Sequence, residues 1–307
     1  MEQQLNPDTS PVTGVETVRR PTSHIYYSQR LRLHYLNWAG GGTENGGPNL
    51  LLIHGVQDHC HTWDGYAGAF AGEFQIVVPD LRGHGDSEWL RGAAYQTFDY
   101  VYDIAQLVRQ RDLGPCVVVG HSMGGTIAAL YAGLYPELVS RLVLIEGVGL
   151  WPDPAENLSP QQRLRGWIDG TRQLAGRERK RYPTLEAALA RMQAANAHLS
   201  DDQARHLTVH GTNQNEDGTF SWKFDNYTHG PSAIRPSREL TKSLWQAIDC
   251  PVLCINSRQG FGHRIGQNGT LAHFRNGEVI DIDSAGHWTH HDQLDQVVAE
   301  SRRFFAE

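Results

Sequence analysis

Residues 117–126 read Val117-Val118-Val119-Gly120-His121-Ser122-Met123-Gly124-Gly125-Thr126, an apolar run followed by a Gly-x-Ser-x-Gly motif and small residues. This order predicts a buried strand, a sharp turn and then a helix. The turn leaves little room beside its central residue, so glycines stand two positions to either side of Ser122. It holds the serine hydroxyl clear of the sheet, and the free N–H groups at the start of the helix favour negative charge there. We therefore predict that Ser122 is a nucleophile.

Short apolar runs recur on both sides of this motif, and stretches of helical character separate several of them. Continuous runs of valine, isoleucine and leucine indicate strands that are buried on both faces. Their alternation with helices predicts a single α/β core, in which a mostly parallel eight-stranded sheet has helices on both faces. The strands are expected at residues 23–29, 32–38, 50–54, 75–79, 116–120, 142–145, 252–255 and 279–282.

The interval 151–244 breaks this alternation, because it has no convincing buried strand and is rich in charged segments of helical character. An insertion of this size predicts a helical cap, with the core formed by residues 23–150 and 245–307. Trp151, at the start of the cap, is predicted to line the substrate pocket. Residues 1–22 are polar and contain proline, so we predict a flexible tail there.

The sequence resembles the α/β-hydrolase superfamily from about residue 23 to the C-terminus. Among its branches, it is most similar to the capped esterases and the serine hydrolase-like proteins. The resemblance rests on four strings, which are the Ser122 motif, His54-Gly55, the segment from Asp80 through Arg82-Gly83-His84-Gly85 to Ser87, and Gly286-His287.

The same resemblance assigns roles around the nucleophile. It implies an oxyanion hole formed by the backbone N–H groups of Val56 and Met123. It also implies that the loop after the last strand carries the catalytic histidine, a place that His287 holds here. That residue must bring its imidazole within hydrogen-bond reach of the serine, to take a proton and return it. The neighbouring His290 and His291 are expected to be solvated or to lie at the rim of the site.

The acid of the triad departs from the pattern that most relatives share. They carry an aspartate after the seventh strand, but residues 250–277 contain no aspartate or glutamate. The superfamily also allows an acid at the end of the sixth strand, where Glu146 follows four apolar residues. A carboxylate there would be costly to bury unless an imidazolium or another partner offset its charge. We predict Glu146 as the acid, with Asp58 near the oxyanion loop as the alternative.

The composition predicts no macromolecular partner of strong charge, and hydrolysis through Ser122 and His287 needs no cofactor. The net charge is −7 and no basic run occurs, which argues against binding to nucleic acid or to an anionic membrane. No apolar window approaches the roughly 18 residues of a membrane span, and no signal peptide is evident, so we expect a soluble cytoplasmic protein. His54, His59 and His61 lie near Asp58 and Asp64, but their spacing fits no common ligand pattern. No metal site is therefore predicted.

These features predict hydrolysis of a carboxylic ester or lactone with a hydrophobic part, through an acyl-enzyme intermediate. The substrate would be a small molecule, and the oligomeric state is left open. One alternative is a carbon–carbon bond hydrolase with the same triad, a class that commonly has asparagine where this chain has His121. Another is a hydrolase-like protein that only binds its ligand. His121 is also a candidate for contacting the substrate.

Overall fold

The computed structural model describes residues 20–38, 47–92, 94–150, 158–230, 232–233 and 235–307. Its strands, in chain order, are β1 (Thr22–Ser28), β2 (Leu31–Trp38), β3 (Asn49–Ile53), β4 (Gln75–Pro79), β5 (Cys116–His121), β6 (Val139–Ile145), β7 (Thr212–Gln214), β8 (Phe220–Trp222), β9 (Val252–Ser257) and β10 (Gly277–Ile282). Eight of them form one sheet in the order β1-β2-β4-β3-β5-β6-β9-β10, which confirms the predicted eight-stranded sheet. The remaining two, β7 and β8, pair with each other.

The sheet is antiparallel only at one side, where β1 pairs with β2 and β2 with β4. The other pairs of the sheet are parallel, as predicted. The register sets Gly120 of β5 beside Ile53 of β3. It likewise sets Ile145 of β6 beside Ile255 of β9. Because parallel strands end at the same edge of a sheet, the residues that follow these four strands meet there.

Helices cover both faces of the sheet, and successive residues of each central strand point to opposite faces. In β3, Leu51 and Ile53 belong to the apolar cluster on one face of the sheet, whereas Leu50 and Leu52 belong to the cluster on the other face. Burial on both faces explains why these strands are continuous apolar runs. The helices are α1 (Asp64–Phe70), α2 (Thr97–Arg111), α3 (Met123–Leu134), α4 (Pro160–Ala175), α5 (Leu185–Ala195), α6 (Asp201–Gly211), α7 (Arg238–Gln246), α8 (Thr289–Asp292) and α9 (Leu294–Ala306).

The regular elements described between β6 and β9 are helices, except for the small β7–β8 hairpin, which the sequence did not predict. Its last helix, α7, packs on α3 of the core. Trp245 is fully buried there, and a Cβ added to Gly133 would lie 2.2 Å from the carbonyl oxygen of Leu244. By contrast, α4 has no buried residue. By packing, therefore, α7 belongs with the core, although most of it falls inside the predicted cap.

Two predictions concern residues outside the described ranges, namely most of the tail, residues 1–19, and the pocket residue Trp151. The tail was predicted to end at residue 22, but β1 already begins at Thr22. None of the described helices combines the length and the apolar character that crossing a membrane requires.

Candidate active site

Ser122 occupies the sharp turn between β5 and α3, with a backbone φ of +53° and ψ of −119°. A non-glycine residue rarely adopts this conformation, and such strain is common where a turn presents a reactive side chain. The flanking glycines make the turn sterically feasible. A Cβ added to Gly120 would lie 2.4 Å from the carbonyl oxygen of Gly124, and one added to Gly124 would lie 2.2 Å from that of Ile53. The sequence motif therefore has a steric cause in the packing of α3 against β3 and β5.

The loop after β3 lies directly against the serine. A Cβ added to Gly55 would come within 3.2 Å of the Cβ of Ser122, and Val56 is the next residue. Met123 follows Ser122 and is the first residue of α3, where a helix has no internal partner for its N–H groups. Neither the N–H of Val56 nor that of Met123 takes part in the hydrogen bonds that the described residues make with one another. Both donors are thus available to a ligand, and their role as an oxyanion hole stays a prediction.

His287 lies in the loop between β10 and α8, and its Nδ1 is 3.3 Å from Oε2 of Glu146. Its ring packs between two others, with centroid distances of 4.8 Å to His121 and 4.1 Å to Phe261. Within the described structure, Ser122 Oγ makes no hydrogen bond to this ring. Catalytic hydrogen bonds are often long before a substrate binds. The roles of base and nucleophile therefore stay predictions, although both residues lie at the same edge of the sheet.

Glu146 is fully buried, in the residue position directly after β6. Its Oε1 accepts hydrogen bonds from Ser257 N and from Arg264 Nη1, both at 2.7 Å. Its Oε2 accepts one from Phe261 N at 3.3 Å and faces His287. Such bonds offset the cost of removing a carboxylate from water, and they fix the direction in which it points.

Asp58, the alternative acid, has other partners. Its Oδ1 accepts a hydrogen bond from His59 N at 2.9 Å, and its Oδ2 accepts one from the indole Nε1 of Trp288 at 3.2 Å. Trp288 follows His287, so Asp58 holds the loop of the base without bonding to the imidazole. This geometry favours Glu146 over Asp58 as the partner of His287.

His121 is buried beside His287, and its Nε2 donates a hydrogen bond to the carbonyl oxygen of His287 at 2.8 Å. Burial, together with the proximity of the His287 ring, lowers the pKa of His121 well below its ordinary value. The imidazole is therefore neutral, and its proton lies on Nε2 because a carbonyl can only accept. These contacts make His121 a link between the serine turn and the base loop, and its contact with substrate stays a prediction.

Two residues of the site were missed in the sequence, Phe261 and Arg264, which lie in the loop after β9. Arg264 forms an ion pair with Glu146, and Phe261 covers one side of the His287 ring. One signal in the sequence could have pointed to Arg264, because a buried Glu146 needs a positively charged partner.

The expectation that His290 is solvated or at the rim is wrong, because it is fully buried and its ring stacks on Trp63 with centroids 4.6 Å apart.

One group of potential metal ligands, formed by His34, Cys60 and Asp80, is buried in the core. Asp80 already accepts hydrogen bonds from Cys60 N and His34 Nδ1, each at 2.7 Å. Burial would raise the pKa of Asp80, but the hydrogen bond from His34 holds it well below the usual range. Burial also raises the pKa of the Cys60 thiol well above its ordinary value. Asp86 N also donates to Oδ2 of Asp80 at 2.9 Å, so both carboxylate oxygens have hydrogen-bond donors within the core, which favours a structural network.

The histidines that the sequence grouped together do not form one set. His54 uses both ring nitrogens, since Nδ1 donates to the carbonyl of Gly55 at 2.6 Å and Nε2 accepts from Leu81 N at 3.0 Å. His61 instead donates through Nδ1 to Asp64 Oδ2 at 2.8 Å. His54 therefore supports the loop beside Ser122, whereas His61 belongs to a different group with Asp64.

Curated relatives match this chain over very different lengths. The chain is 27% identical to the esterase Rv0045c of Mycobacterium tuberculosis over 285 residues, which cover 90% of this chain and 87% of that protein. It is 30% identical to a serine hydrolase-like protein of Danio rerio over 53% of this chain and 50% of that one. With an uncharacterized protein of Mycobacterium tuberculosis it shares 39% identity over 107 residues, which span only 31% of that relative.

Solved structures and a family model agree on the fold. A hypothetical protein of Pseudomonas aeruginosa superposes with a TM-score of 0.80 at 26% identity, covering 93% of this chain and 99% of the other. The thioesterase domain of the curacin biosynthetic pathway gives a TM-score of 0.79 at 21% identity, over 92% and 99% of the two chains. The family model described as the alpha/beta hydrolase fold matches residues 48–294. This chain belongs to the α/β-hydrolase family.

Proposed function

We propose that the protein is a serine hydrolase that cleaves a carboxylic ester or lactone through an acyl-enzyme intermediate. The observation that carries this proposal is the contact between Glu146 and His287, at the sheet edge where the strained turn presents Ser122. The three residues occur in the order nucleophile, acid and base, which is the order of this fold. The identity with an esterase over 90% of the chain supports an ester as the substrate.

In the first half of the reaction, His287 Nε2 takes the proton of Ser122 Oγ as the oxygen attacks the acyl carbon. The carbonyl oxygen becomes an oxyanion, which would accept hydrogen bonds from the N–H groups of Val56 and Met123. The imidazolium then gives its proton to the leaving alkoxide, the carbon–oxygen bond breaks, and the acyl group remains on Ser122. Glu146 stabilises the imidazolium throughout, because its carboxylate accepts a hydrogen bond from the Nδ1–H group of His287.

In the second half, His287 removes a proton from water, and the resulting hydroxide attacks the acyl-enzyme. The same oxyanion donors serve again, and the imidazolium returns its proton to Ser122 Oγ as the acid product leaves. Water is the only second substrate that the complete reaction requires. A lactone would follow the same route, with the alcohol and acid in one product.

We further propose that α6 forms part of a cap over this site. Its Gln203 side chain donates a hydrogen bond to the carbonyl of His291 at 2.8 Å, and the carbonyl of Leu207 accepts one from His59 at 3.0 Å. One helix of the insertion thus contacts α8, which follows the loop of His287, and the loop after β3, which carries Val56. A hydrophobic acyl or alcohol group would bind between such a cap and the sheet edge.

The test is a panel of p-nitrophenyl esters, aliphatic lactones and vinylogous diketones, measured with the wild type and with Ser122→Ala. We expect turnover of esters or lactones that Ser122→Ala reduces by roughly 10³-fold or more. Cleavage of diketones alone would instead support the carbon–carbon bond hydrolase. Ligand binding without any turnover would support the binding protein.

A further inference from the structure

A second cluster of polar side chains lies where α6 meets the core, apart from the triad. It comprises His61, Asp64, His206 and His210, whose potential ligand atoms all lie within 4.8 Å of one another. Asp64 is the first residue of α1, and His61 lies three residues before it in a 3₁₀ turn. His206 and His210 are four residues apart on α6, so their side chains project from the same face of that helix. We refer to these four residues as the histidine cluster.

Two of the histidines in the cluster contact the carboxylate of Asp64, and the third stacks on one of them. Its Oδ2 lies 2.8 Å from His61 Nδ1 and 3.3 Å from His206 Nε2. The ring of His210 stacks on that of His61, with centroids 3.8 Å apart. The other oxygen, Oδ1, is buried and makes no hydrogen bond within the part of the chain that the structure describes. Three imidazoles and a carboxylate with an unused oxygen therefore face one another.

We propose that the histidine cluster is a transition-metal site that binds Zn²⁺ and joins α6 to the core. Imidazole and carboxylate are the nitrogen and oxygen ligands that Zn²⁺ accepts, and four of them complete its tetrahedral shell. Bonds of about 2.0–2.2 Å place tetrahedral ligand atoms roughly 3.4 Å apart, so the cluster must contract from its present spread. The side chains can do this by rotation, because all four are only partly buried.

A site with four protein ligands has no open position for water or substrate, so its role is structural. It would instead fix α6, the helix that contacts α8 through Gln203 and the loop after β3 through His59. The bound ion would therefore hold the proposed cap closed over the sheet edge. Metal binding itself does not rest on the proposed function, so Ser122→Ala must bind the ion as the wild type does.

The test uses the full chain without a histidine tag, freed of metal and then titrated with Zn²⁺ and with Co²⁺. We expect one ion per chain, and a visible Co²⁺ spectrum typical of four-coordinate nitrogen and oxygen ligands. Removing a residue that only hydrogen-bonds to a metal ligand typically weakens metal binding by roughly 10- to 100-fold. The double variant His206→Gln/His210→Gln removes two ligands, so it should weaken Zn²⁺ binding by more than this. His24→Gln, a histidine on β1, is the matched control and should bind as the wild type does.

Two further measurements do not depend on the variants. Zn²⁺ should slow amide hydrogen exchange across residues 201–211, since an ion held by α6 and by the core opposes their separation. In crystals soaked with Zn²⁺, the anomalous peak should lie among the four side chains. The proposal is overturned if no stoichiometric ion binds, if the double variant binds as tightly as the control, or if the peak lies elsewhere. Unchanged exchange in the zinc-bound protein would refute the joining of α6 to the core.

Discussion

Glu146 and His287 lie 141 positions apart in the chain, yet Oε2 of the glutamate is 3.3 Å from Nδ1 of the histidine. The two residues meet because β6 and β10 end at the same edge of a parallel sheet. Oε1 of the same carboxylate is engaged by Arg264 and the backbone of Ser257, so Oε2 is directed at the imidazole. In the proposed triad this arrangement would supply the acid, since residues 250–277 contain no aspartate or glutamate.

Glu146→Gln should lower kcat by roughly 10²- to 10⁴-fold with little change in KM. The amide keeps the size of the side chain but removes the charge that stabilises the imidazolium. Steady-state kinetics on the best ester of the panel measure this effect, and Asp58→Asn is the comparison. If Glu146→Gln stays near full activity while Asp58→Asn loses it, Asp58 is the acid.

Gly260→Ala should impair catalysis through the position of the same carboxylate. A Cβ at residue 260 would lie 2.0 Å from Glu146 Oε2, so the carboxylate or the loop must shift, which changes the contact with His287. We expect a loss of kcat of at least about tenfold, because a small misplacement of a catalytic group is costly. Gly262→Ala is the matched control, since its added Cβ meets nothing within 4 Å. Equal activity of the two variants would contradict this role of Glu146.

The motifs and the family resemblance together could predict that Ser122, Glu146 and His287 lie at one edge of the sheet, while their catalytic roles stay predictions. Ser122 is marked by its flanking glycines, and Glu146 by its place after four apolar residues, because both features follow from the geometry of parallel strands. Arg264 and Phe261 could not be found in the same way. They reach the site through an irregular loop, whose path no periodic pattern records.

The insertion was harder to predict for a related reason. Helical segments can be recognised locally, but their packing partners cannot. His206 and His210 lie about 140 residues from His61 and Asp64, so only the docking of α6 brings the histidine cluster together. In the same way, the full burial of Trp245 depends on the packing of α7 against α3.

His84 should make the protein less stable in mild acid. Burial, together with the nearby His54, lowers its pKa to about 3, against about 6.5 in an unfolded chain. Below pH 6.5 the unfolded state therefore binds a proton that the folded state does not, and the free energy of unfolding falls as the pH falls. Between pH 7.5 and 5 the loss from this residue should be about 2 kcal/mol.

Urea unfolding of the wild type and of His84→Asn at the two pH values measures the contribution of His84. The variant should show a smaller loss of stability between pH 7.5 and 5, even if it is less stable at both. Comparing the two proteins removes the effects of the other buried histidines, His121 and His290 among them. The same loss in both proteins would contradict the depressed pKa.

Hydrogen exchange should be faster in the proposed cap than in the core. No residue of α4 is buried, whereas every residue of β5 is. Amides of α4 should therefore exchange through local opening, and those of β5 only through global unfolding. Exchange followed by mass spectrometry of peptides from the two elements tests this. Equal protection of α4 and β5 would count against a mobile cap.

The most direct test of the central claim is covalent labelling with a fluorophosphonate, which reacts with an activated serine, followed by mass spectrometry of the labelled peptide. We predict a single adduct at Ser122 in the wild type and none in Ser122→Ala, with both proteins equally folded by circular dichroism. Glu146→Gln should be labelled more slowly than the wild type, because the imidazolium that forms on His287 is less well stabilised. Labelling that persists in Ser122→Ala, or a folded wild type that does not react, would contradict the assignment of Ser122 as the nucleophile.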